Sequence, residues 1–267
     1  QQFYSDVMTW TRSNQSTILS ELKSLGFSAD WDKLKFTLDD DIISTVYETF
    51  QELHEAGHIY RGNRIVNWCP YCHSAFADIE VKHREQIDPL YYVKYGPFVI
   101  ATVRPEPMFA DTGIAVHPDD ERYQQWIGQE VEVDLLWGPR KLKVVADRHV
   151  DPDFGTGVVK ITPAHDPNDW EMAQRHSLEV IQGIGTDGLL TEAAGRYAGM
   201  GVLDARAEIA KDLEERGLID HIDMNYTHSV GYHDRCDTLI EPLTIEQWWL
   251  RVDELKKHAI QAITSGE

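Results

Sequence analysis

The N-terminal part of the chain places apolar residues at the spacing of an α-helix. Residues 13–25 and 39–56 both show this period, and in the second segment the apolar side chains fall on one face. Gly57 is placed to end this helix, and Thr37 with Asp40 three residues later resembles a capping box. We expect two amphipathic helices whose role is packing. The face comprises Ile42, Ile43, Val46, Tyr47, Phe50, Leu53 and His54.

Beyond residue 60 the apolar pattern shortens to the two-residue alternation of β-strands. Strands are predicted at 64–68, 75–81, 90–95, 98–103, 130–136, 141–145 and 157–162, and short helices alternate with the later strands up to about residue 228. This mixture predicts an α+β fold with a barrel-like mixed sheet and peripheral helices.

All the cysteines of the chain fall in two short segments that are far apart. Cys69-Pro-Tyr-Cys72 and His233-Asp-Arg-Cys236 each place two ligand types on one tight turn. Together they form a Cys3His set, which predicts a structural zinc ion, with His73 as a spare candidate ligand. The alternative is a redox-active cysteine pair, which would not need the second segment. Three cysteines in a chain of 267 residues also favour a reducing compartment, so we expect a cytoplasmic protein.

The charge balance limits the kinds of partner. The net charge is −20, from 25 Lys and Arg against 45 Asp and Glu, which argues against tight nonspecific binding to nucleic acid by the chain alone. Any RNA contact must therefore be local. No stretch approaches the roughly 20 apolar residues of a membrane span, so no membrane partner is expected.

A first polar cluster follows the apolar strand that ends at Ala101. The loop Thr102-Val-Arg104-Pro-Glu106-Pro107 places a hydroxyl, a guanidinium and a carboxylate beside two prolines. Such a loop is suited to gripping a polar ligand. It is equally typical of a surface turn with a solvated ion pair.

A second polar cluster lies between residues 155 and 170. A strand carries Lys160 and Thr162 on one face, and a turn then delivers His165, Asp166 and Asp169 at the start of a helix. Asp166 also has a purely structural interpretation, because it precedes a proline at the first helical position and suits an N-cap. Asp169 falls in the first turn, where a carboxylate favours the helix dipole. Stabilising the start of a helix needs only one of these carboxylates, and the cluster contains two, so the structural interpretation does not account for both.

Four motifs resemble the valyl-tRNA synthetase family, and more narrowly its inserted editing domain, the connective polypeptide. They are the runs 61–70, 101–106, 111–118 and 160–169, and the resemblance extends from about Ser16 to about Trp249. Isoleucyl and leucyl relatives share the architecture, but lysine before Ile-Thr-Pro-Ala-His-Asp and the Arg-Pro-Glu loop favour the valyl member. The His-Ile-Gly-His and Lys-Met-Ser-Lys-Ser signatures do not occur in this sequence, so the resemblance implies editing without amino-acid activation.

The resemblance implies post-transfer editing, the hydrolysis of the ester bond of mischarged Thr-tRNA(Val). The implied partners are the acceptor end of the mischarged tRNA and the rest of the parent synthetase, and we expect a monomer. Two alternatives remain: editing of another mischarged tRNA, or a noncatalytic RNA-binding or structural insertion. The implied catalytic residues are Asp169, Lys160 and Arg104, and the implied substrate-binding residues are Thr102, Glu106, Thr162, His165 and Asp166.

The sequence departs from the family pattern in the first polar loop. Val103 and Pro107 replace threonines, and Ala110 stands where glycine is usual. Proline lacks both the hydroxyl and the backbone N–H of threonine, so we expect weakened activity on an intact fold. The predicted layout is a helical segment of the synthetase body at 1–60, a zinc-binding stalk at 61–90 and 226–250, an editing domain at 91–225 and a C-terminal helical tail at 251–267.

Overall fold

A computed structural model describes residues 1–266 of the chain. It contains two compact units, one formed by residues 1–60 together with the segment from residue 250 onward, and the other by residues 61–249. The finer division predicted from the sequence stays a prediction. Between residues 1 and 266, no helix has both the length and the apolar character needed to cross a membrane.

The fold is mixed α+β. Its helices are α1 (Gln2–Ser24), α2 (Asp40–Glu55), α3 (Pro167–His176), α4 (Val202–Glu215) and α5 (Asp253–Ser265). Its strands are β1 (Ile59–Cys69), β2 (Ser74–Phe76), β3 (Lys82–Tyr95), β4 (Phe98–Thr102), β5 (Gly113–Val116), β6 (Glu130–Leu135), β7 (Gly138–Ala146), β8 (Val158–Ile161), β9 (Ile219–Tyr232) and β10 (Glu241–Leu250).

The strands form three sheets, with orders β10-β1-β2, β4-β3-β9 and β6-β7-β5-β8. All neighbouring strands for which a register is given are antiparallel except β5 and β7, which are parallel. The barrel-like sheet expected from the sequence is wrong for the described residues, because the strands are divided among three open sheets and none closes on itself. Alternation along the chain predicts strands and does not reveal which strands pair.

The core of the second unit joins two of these sheets to α4. Val93, Ile100, Ile114, Val144 and Ile209 are fully buried in one cluster that spans β3, β4, β5, β7 and α4. The next residue of β7 points to the opposite face, as strand geometry requires. There Val145 packs with Ile161 and Met172 and so holds α3 against β8. These two layers place the start of α3 beside the end of β8.

The first unit consists of α1, α2 and α5 with a short connection. The predicted helix at 39–56 is confirmed as α2, and the one at 13–25 is the second half of the longer α1. The predicted capping box is wrong. Asp39 is the N-cap of α2, and its carboxylate accepts hydrogen bonds from Arg12 and from the Phe36 backbone N–H and makes none to the helix. The predicted apolar face of α2 holds no buried side chain among the described residues.

The strands predicted at 98–103, 130–136, 141–145 and 157–162 are confirmed with small changes at their ends, whereas 64–68 and 90–95 are only parts of the longer β1 and β3. In 75–81, only Ser74–Phe76 is a strand and Asp78–Glu80 forms a 3₁₀ turn. The Glu80 carboxylate accepts a hydrogen bond from the Ala77 N–H at 3.0 Å, which favours a turn over an extended backbone. The sequence pattern did not predict β5, β9 or β10.

Candidate functional site

A cavity of about 300 Å³ lies where β4 and β8 end and α3 begins. Leu90, Phe154, Tyr226 and Pro242 supply part of its apolar and aromatic wall. Seven of the eight non-metal residues predicted from the sequence line it, namely Thr102, Arg104, Lys160, Thr162, His165, Asp166 and Asp169. The eighth, Glu106, is buried in the protein and is not part of the lining.

The floor of the cavity contains a lysine whose ammonium group is held by buried partners. Lys160 Nζ donates to Thr162 Oγ1 at 2.5 Å and lies 3.6 Å from Asp111 Oδ1. The Thr162 hydroxyl in turn donates to Asp111 Oδ1 at 2.5 Å, and the Tyr95 hydroxyl donates to Asp111 Oδ2 at 2.6 Å. Burial raises the pKa of Asp111, while Lys160 and the two hydroxyl groups oppose this shift. The network fixes a cation beside the cavity.

Asp166 and Asp169 have different roles at the start of α3. Asp166 is the N-cap, as predicted, and its Oδ1 accepts from the Asn168 and Asp169 N–H groups at 2.8 and 3.1 Å. Asp169 is only 6% exposed, and its Oδ2 accepts from the Thr162 N–H at 2.8 Å. Burial raises the pKa of Asp169 to about 7, against the opposing effect of Lys160. Asp169 is therefore a carboxyl group that titrates near neutrality inside a cavity.

His165 is held by the protein through both ring nitrogens. Its Nε2 accepts from the Gly183 and Ile184 N–H groups at 2.8 and 3.1 Å, so the proton resides on Nδ1, which lies 3.4 Å from the Pro242 carbonyl oxygen. Gly183 permits this approach, because a Cβ there would lie 3.2 Å from Nε2 and 3.1 Å from Ala110. Burial, assisted by the positive charge of Arg104, lowers the pKa of His165 to about 3. Both ring nitrogens of His165 are therefore engaged by the backbone.

Arg104 and Glu106 belong to a buried ionic network. Glu106 is fully buried, and it accepts from Arg104 Nε at 2.9 Å and from Arg206 at 2.9 and 3.0 Å. Arg104 Nη2 also donates to Glu241 at 2.5 Å. Burial opposes ionisation of Glu106, but Arg104 and Arg206 together bring its pKa below the usual value. The predicted substrate-binding role of Glu106 stays a prediction, and the geometry shows it orienting two arginines.

The loop that departs from the family pattern also forms part of the cavity wall. Thr102 Oγ1 accepts from the Arg104 N–H at 3.0 Å, which turns the chain at the end of β4. Val103 and Pro107 both line the cavity. Pro107 begins the 3₁₀ turn Met108–Ala110, and its carbonyl oxygen accepts from the Ala110 N–H at 2.9 Å. A residue at position 107 can therefore contact a bound molecule.

A second and larger cavity of about 860 Å³ adjoins the first. The two cavities share Val103, Arg104, Asp166, His228 and Pro242. The larger cavity extends along β3 and β9 to the start of α4 and to Pro70 and Tyr71 beside the first cysteine pair. The combined space is large enough for a ligand much bigger than an amino acid.

The four predicted metal ligands meet at one point. Cys69, Cys72, His233 and Cys236 each offer one ligand atom, and these atoms all lie within 4.8 Å of one another. The Sγ of Cys236 lies 3.6 Å from that of Cys69, 3.4 Å from that of Cys72 and 3.3 Å from His233 Nε2. Sulfur atoms 2.3 Å from a tetrahedral ion are about 3.8 Å apart, so this donor set can hold a metal ion of the size of zinc. His73 is not a member of the cluster.

Sequence reasoning missed several residues that shape the site. Asp111, Arg206, His228 and Glu241 were not predicted as site residues, although Asp111 opens one of the motifs that carry the resemblance. Its position directly before a short apolar strand was the available signal. Arg206, His228 and Glu241 come from α4, β9 and β10, which are far along the chain from the first polar loop. Only the tertiary fold brings them to it.

Comparison with known proteins assigns the chain to a family. The family model described as tRNA synthetases class I (I, L, M and V) matches residues 1–267. The chain belongs to the class I tRNA synthetase family.

Within this family the chain is similar to one segment of valine–tRNA ligases. It is 45% identical to the valine–tRNA ligase of Thermotoga maritima over 100% of this chain and 31% of that protein. It is 44% identical to that of Clostridium tetani and 42% identical to that of Geobacter sulfurreducens, in each case over 99% of this chain and 30% of the relative. The chain thus spans about 30% of the length of these class I synthetases.

The raised pKa of Asp169 predicts a specific dependence of stability on pH. The folded state favours the protonated carboxyl group of Asp169. The stability that this preference contributes is fully present below pH 3.8, the usual pKa of an aspartate, and is lost as the pH rises to about 7, the pKa in the folded state. The amide side chain introduced by Asp169→Asn does not ionise. We expect the free energy of unfolding of this variant, relative to the parent, to rise by up to about 4 kcal/mol between pH 4 and 7 and to level off above 7.

Urea unfolding between pH 4 and 8 measures this difference. Asp134→Asn, at an exposed position on β6, is the matched control and should show no such rise. A constant difference for Asp169→Asn over the whole range would contradict the assignment of a raised pKa to Asp169.

Proposed function

We propose that this chain carries out post-transfer editing, the hydrolysis of the ester that joins threonine to the tRNA for valine. The observation that carries the proposal is the small cavity in which the buried Asp169 carboxyl group and the Lys160 ammonium group lie together. The similarity to one segment of valine–tRNA ligases supports the choice of substrate. The mischarged acceptor end and the remainder of a synthetase are the proposed partners.

The chemistry of valine selection explains why such a site is needed. A pocket shaped for valine rejects threonine only about a hundredfold, a value already established for valine-specific synthetases and not deduced from this chain. A second site can discriminate in the opposite sense by requiring the threonine hydroxyl group. A buried acceptor left without a donor when valine binds imposes a penalty of about 1–3 kcal/mol.

Asp169 is the proposed anchor of the misattached amino acid. Its Oδ2 is bound to the Thr162 N–H, and its Oδ1 has no hydrogen-bond partner among the described residues. That free oxygen is available for the ammonium or hydroxyl group of a threonyl ester. Binding an ammonium group would favour the ionised carboxylate and offset the cost of its burial.

Lys160 and Arg104 supply the positive charge of the proposed site. An aminoacyl ester is already activated, so hydrolysis requires mainly a positioned water molecule and stabilisation of the developing oxyanion. The Lys160 ammonium group is fixed by Thr162 and Asp111 and needs no rearrangement to act. The cavity lining contains no serine or cysteine, and the hydroxyl groups of Thr102 and Thr162 are bound to the Arg104 N–H and to Asp111, so the proposed reaction is direct attack by water.

The second cavity is the proposed site of the terminal nucleotides. It is continuous with the first along Arg104 and His228, and its volume suits a nucleotide. A noncatalytic insertion is the competing function, and the observation that favours it is Pro107 in the wall of the first cavity. The two functions differ in whether the ester is cleaved.

The Cys3His cluster is the proposed site of a structural zinc ion. Zinc bound as a four-ligand tetrahedral site would join the segment after β1 to the segment after β9. Most of the residues that line both cavities lie between these two segments in the sequence. The ion would therefore stabilise the base from which the proposed editing site is built and would take no part in the reaction.

Asp169→Asn should reduce hydrolysis of Thr-tRNA(Val) by at least about a hundredfold, because the amide cannot bind an ammonium group as a carboxylate does. The measurement is a single-turnover deacylation time course. A melting curve of the same variant at the assay pH must show a folded protein, so that unfolding is excluded as the cause of the loss. Asp134→Asn is the matched control and should keep the parental rate, whereas parental activity in Asp169→Asn would refute the anchor.

Purified chain should contain one zinc ion, as measured by elemental analysis by mass spectrometry. Cys236→Ser should lose the ion and lower the melting temperature, because three remaining ligands bind zinc more weakly than four. His73→Asn is the control and should retain both, since His73 lies outside the cluster. Zinc-free protein with an unchanged melting temperature in a strong chelator would exclude a structural metal.

Restoring threonine at position 107 should raise the deacylation rate on Thr-tRNA(Val) several-fold. Threonine returns a hydroxyl and an N–H donor to the cavity wall, and one hydrogen bond to substrate is worth on the order of 1 kcal/mol. Val103→Thr combined with Pro107→Thr should increase the rate further. Identical rates before and after these substitutions would show that the loop does not limit activity.

A further inference from the structure

A histidine and an aspartate form a pair across β3 and β9, with His228 in the wall of both cavities and Asp88 in the wall of the larger one. His228 Nε2 lies 2.7 Å from Asp88 Oδ2, and Gln86 Nε2 donates to the same oxygen at 2.7 Å. Gln86 is the register partner of His228, and the ladder is interrupted between Asp88 and Leu90. Pro89 fills the interruption and lacks an N–H to donate. Both members of the pair are about one-fifth exposed.

The pairing determines which nitrogen of His228 is free. A carboxylate only accepts hydrogen bonds, so Nε2 carries the proton and Nδ1 of the neutral ring has a lone pair. Nδ1 has no hydrogen-bond partner among the described residues. The Tyr226 ring lies almost parallel to the imidazole, with centroids 6.0 Å apart, and supports its orientation. A fixed ring with a free lone pair thus borders the cavity.

The other candidate bases of the first cavity are engaged in whole or in part. Both ring nitrogens of His165 are bound to the backbone, and the Asp166 carboxylate caps α3 through Oδ1, which leaves only its Oδ2. Lys160 is held as a cation by Asp111 and Thr162. Asp169 is the proposed anchor and is committed to the amino acid. His228 is the lining imidazole that has both an unpaired ring nitrogen and a partner that orients it, and an imidazole is a stronger base than the Asp166 carboxylate.

We propose that His228 is a catalytic residue of the hydrolysis and that Asp88 is its positioning residue, an inference that rests on the proposed function. His228 Nδ1 takes a proton from water as the water oxygen forms a bond to the ester carbonyl carbon. The tetrahedral intermediate then collapses, and the bond from carbon to the ribose oxygen breaks. The ribose oxygen takes the proton back from Nδ1, which leaves threonine, free tRNA and neutral His228.

The charged groups around the pair come from four other elements. Asp88 lies on β3, Arg206 on α4, Glu241 on β10 and Asp166 at the start of α3, and Arg104 lies in the loop after β4. Arg206 and Arg104 are neutralised by Glu106 and Glu241. The carboxylate in direct contact with the imidazole is Asp88.

The test is single-turnover hydrolysis of Thr-tRNA(Val) by the 267-residue chain. His228→Ala should slow the reaction about a hundredfold, the usual contribution of a general base. Added imidazole should restore part of that rate, and it should not restore Asp169→Asn. Asp88→Asn should slow the reaction about tenfold or more, because an amide can donate to Nε2 and so favours the wrong tautomer.

His221 provides a matched control on the same strand. Its Nδ1 lies 2.9 Å from Asp220 Oδ2, and this exposed pair is not part of either cavity. His221→Ala should keep the parental rate. If the parental chain hydrolyses the ester and the His228→Ala variant does so at the same rate, the role of His228 is overturned and the proposed function stays intact.

Two further outcomes are also decisive. Slow hydrolysis by His228→Ala that imidazole does not restore, with a lowered melting temperature, would show a structural role and overturn the inference. A parental chain that leaves the ester intact would overturn both the proposed function and the role of His228.

Discussion

The geometry of the site depends on a single buried carboxylate. Glu106 binds Arg104 of the loop after β4 and Arg206 of α4, and Arg104 also binds Glu241 at the start of β10. These contacts join three segments that are far apart in the sequence. Removing one partner of a buried ion pair typically costs about 3–5 kcal/mol, because the remaining charge stays uncompensated in a poorly solvated place. The wall between the two cavities is therefore fixed by charge pairing as well as by the apolar core.

The same low-solvation environment gives the site its chemical character. Asp111 and Thr162 hold the Lys160 ammonium group in place, and burial makes Asp169 reluctant to ionise. A substrate ammonium group would stabilise the Asp169 carboxylate more strongly than water does. Burial also lowers the pKa of His165, which keeps its ring neutral. The neutral ring accepts hydrogen bonds from the Gly183 and Ile184 N–H groups and so holds this segment in place.

The sequence predicted the local features well and the long-range ones poorly. The Cys3His cluster and the N-cap role of Asp166 follow from short spacings, and the structure shows both arrangements. The barrel-like sheet was wrong because alternation does not determine strand pairing. The substrate-binding role of Glu106 stays a prediction, and its burial between Arg104 and Arg206 could not be predicted because Arg206 reaches it only through the placement of α4. His228 and Asp88 have no local motif and become a pair only through the register of β3 and β9.

Discrimination between two esters is the sharpest test of the proposed hydrolytic site. The claim is that this cavity is a hydrolytic site that selects threonine through its hydroxyl group and rejects valine. The measurement is the ratio of single-turnover deacylation rates for Thr-tRNA(Val) and Val-tRNA(Val) with the same chain under the same conditions. We expect rapid loss of threonine and a valine rate close to that of spontaneous hydrolysis. Equal rates for the two esters, or no acceleration of either, would contradict it.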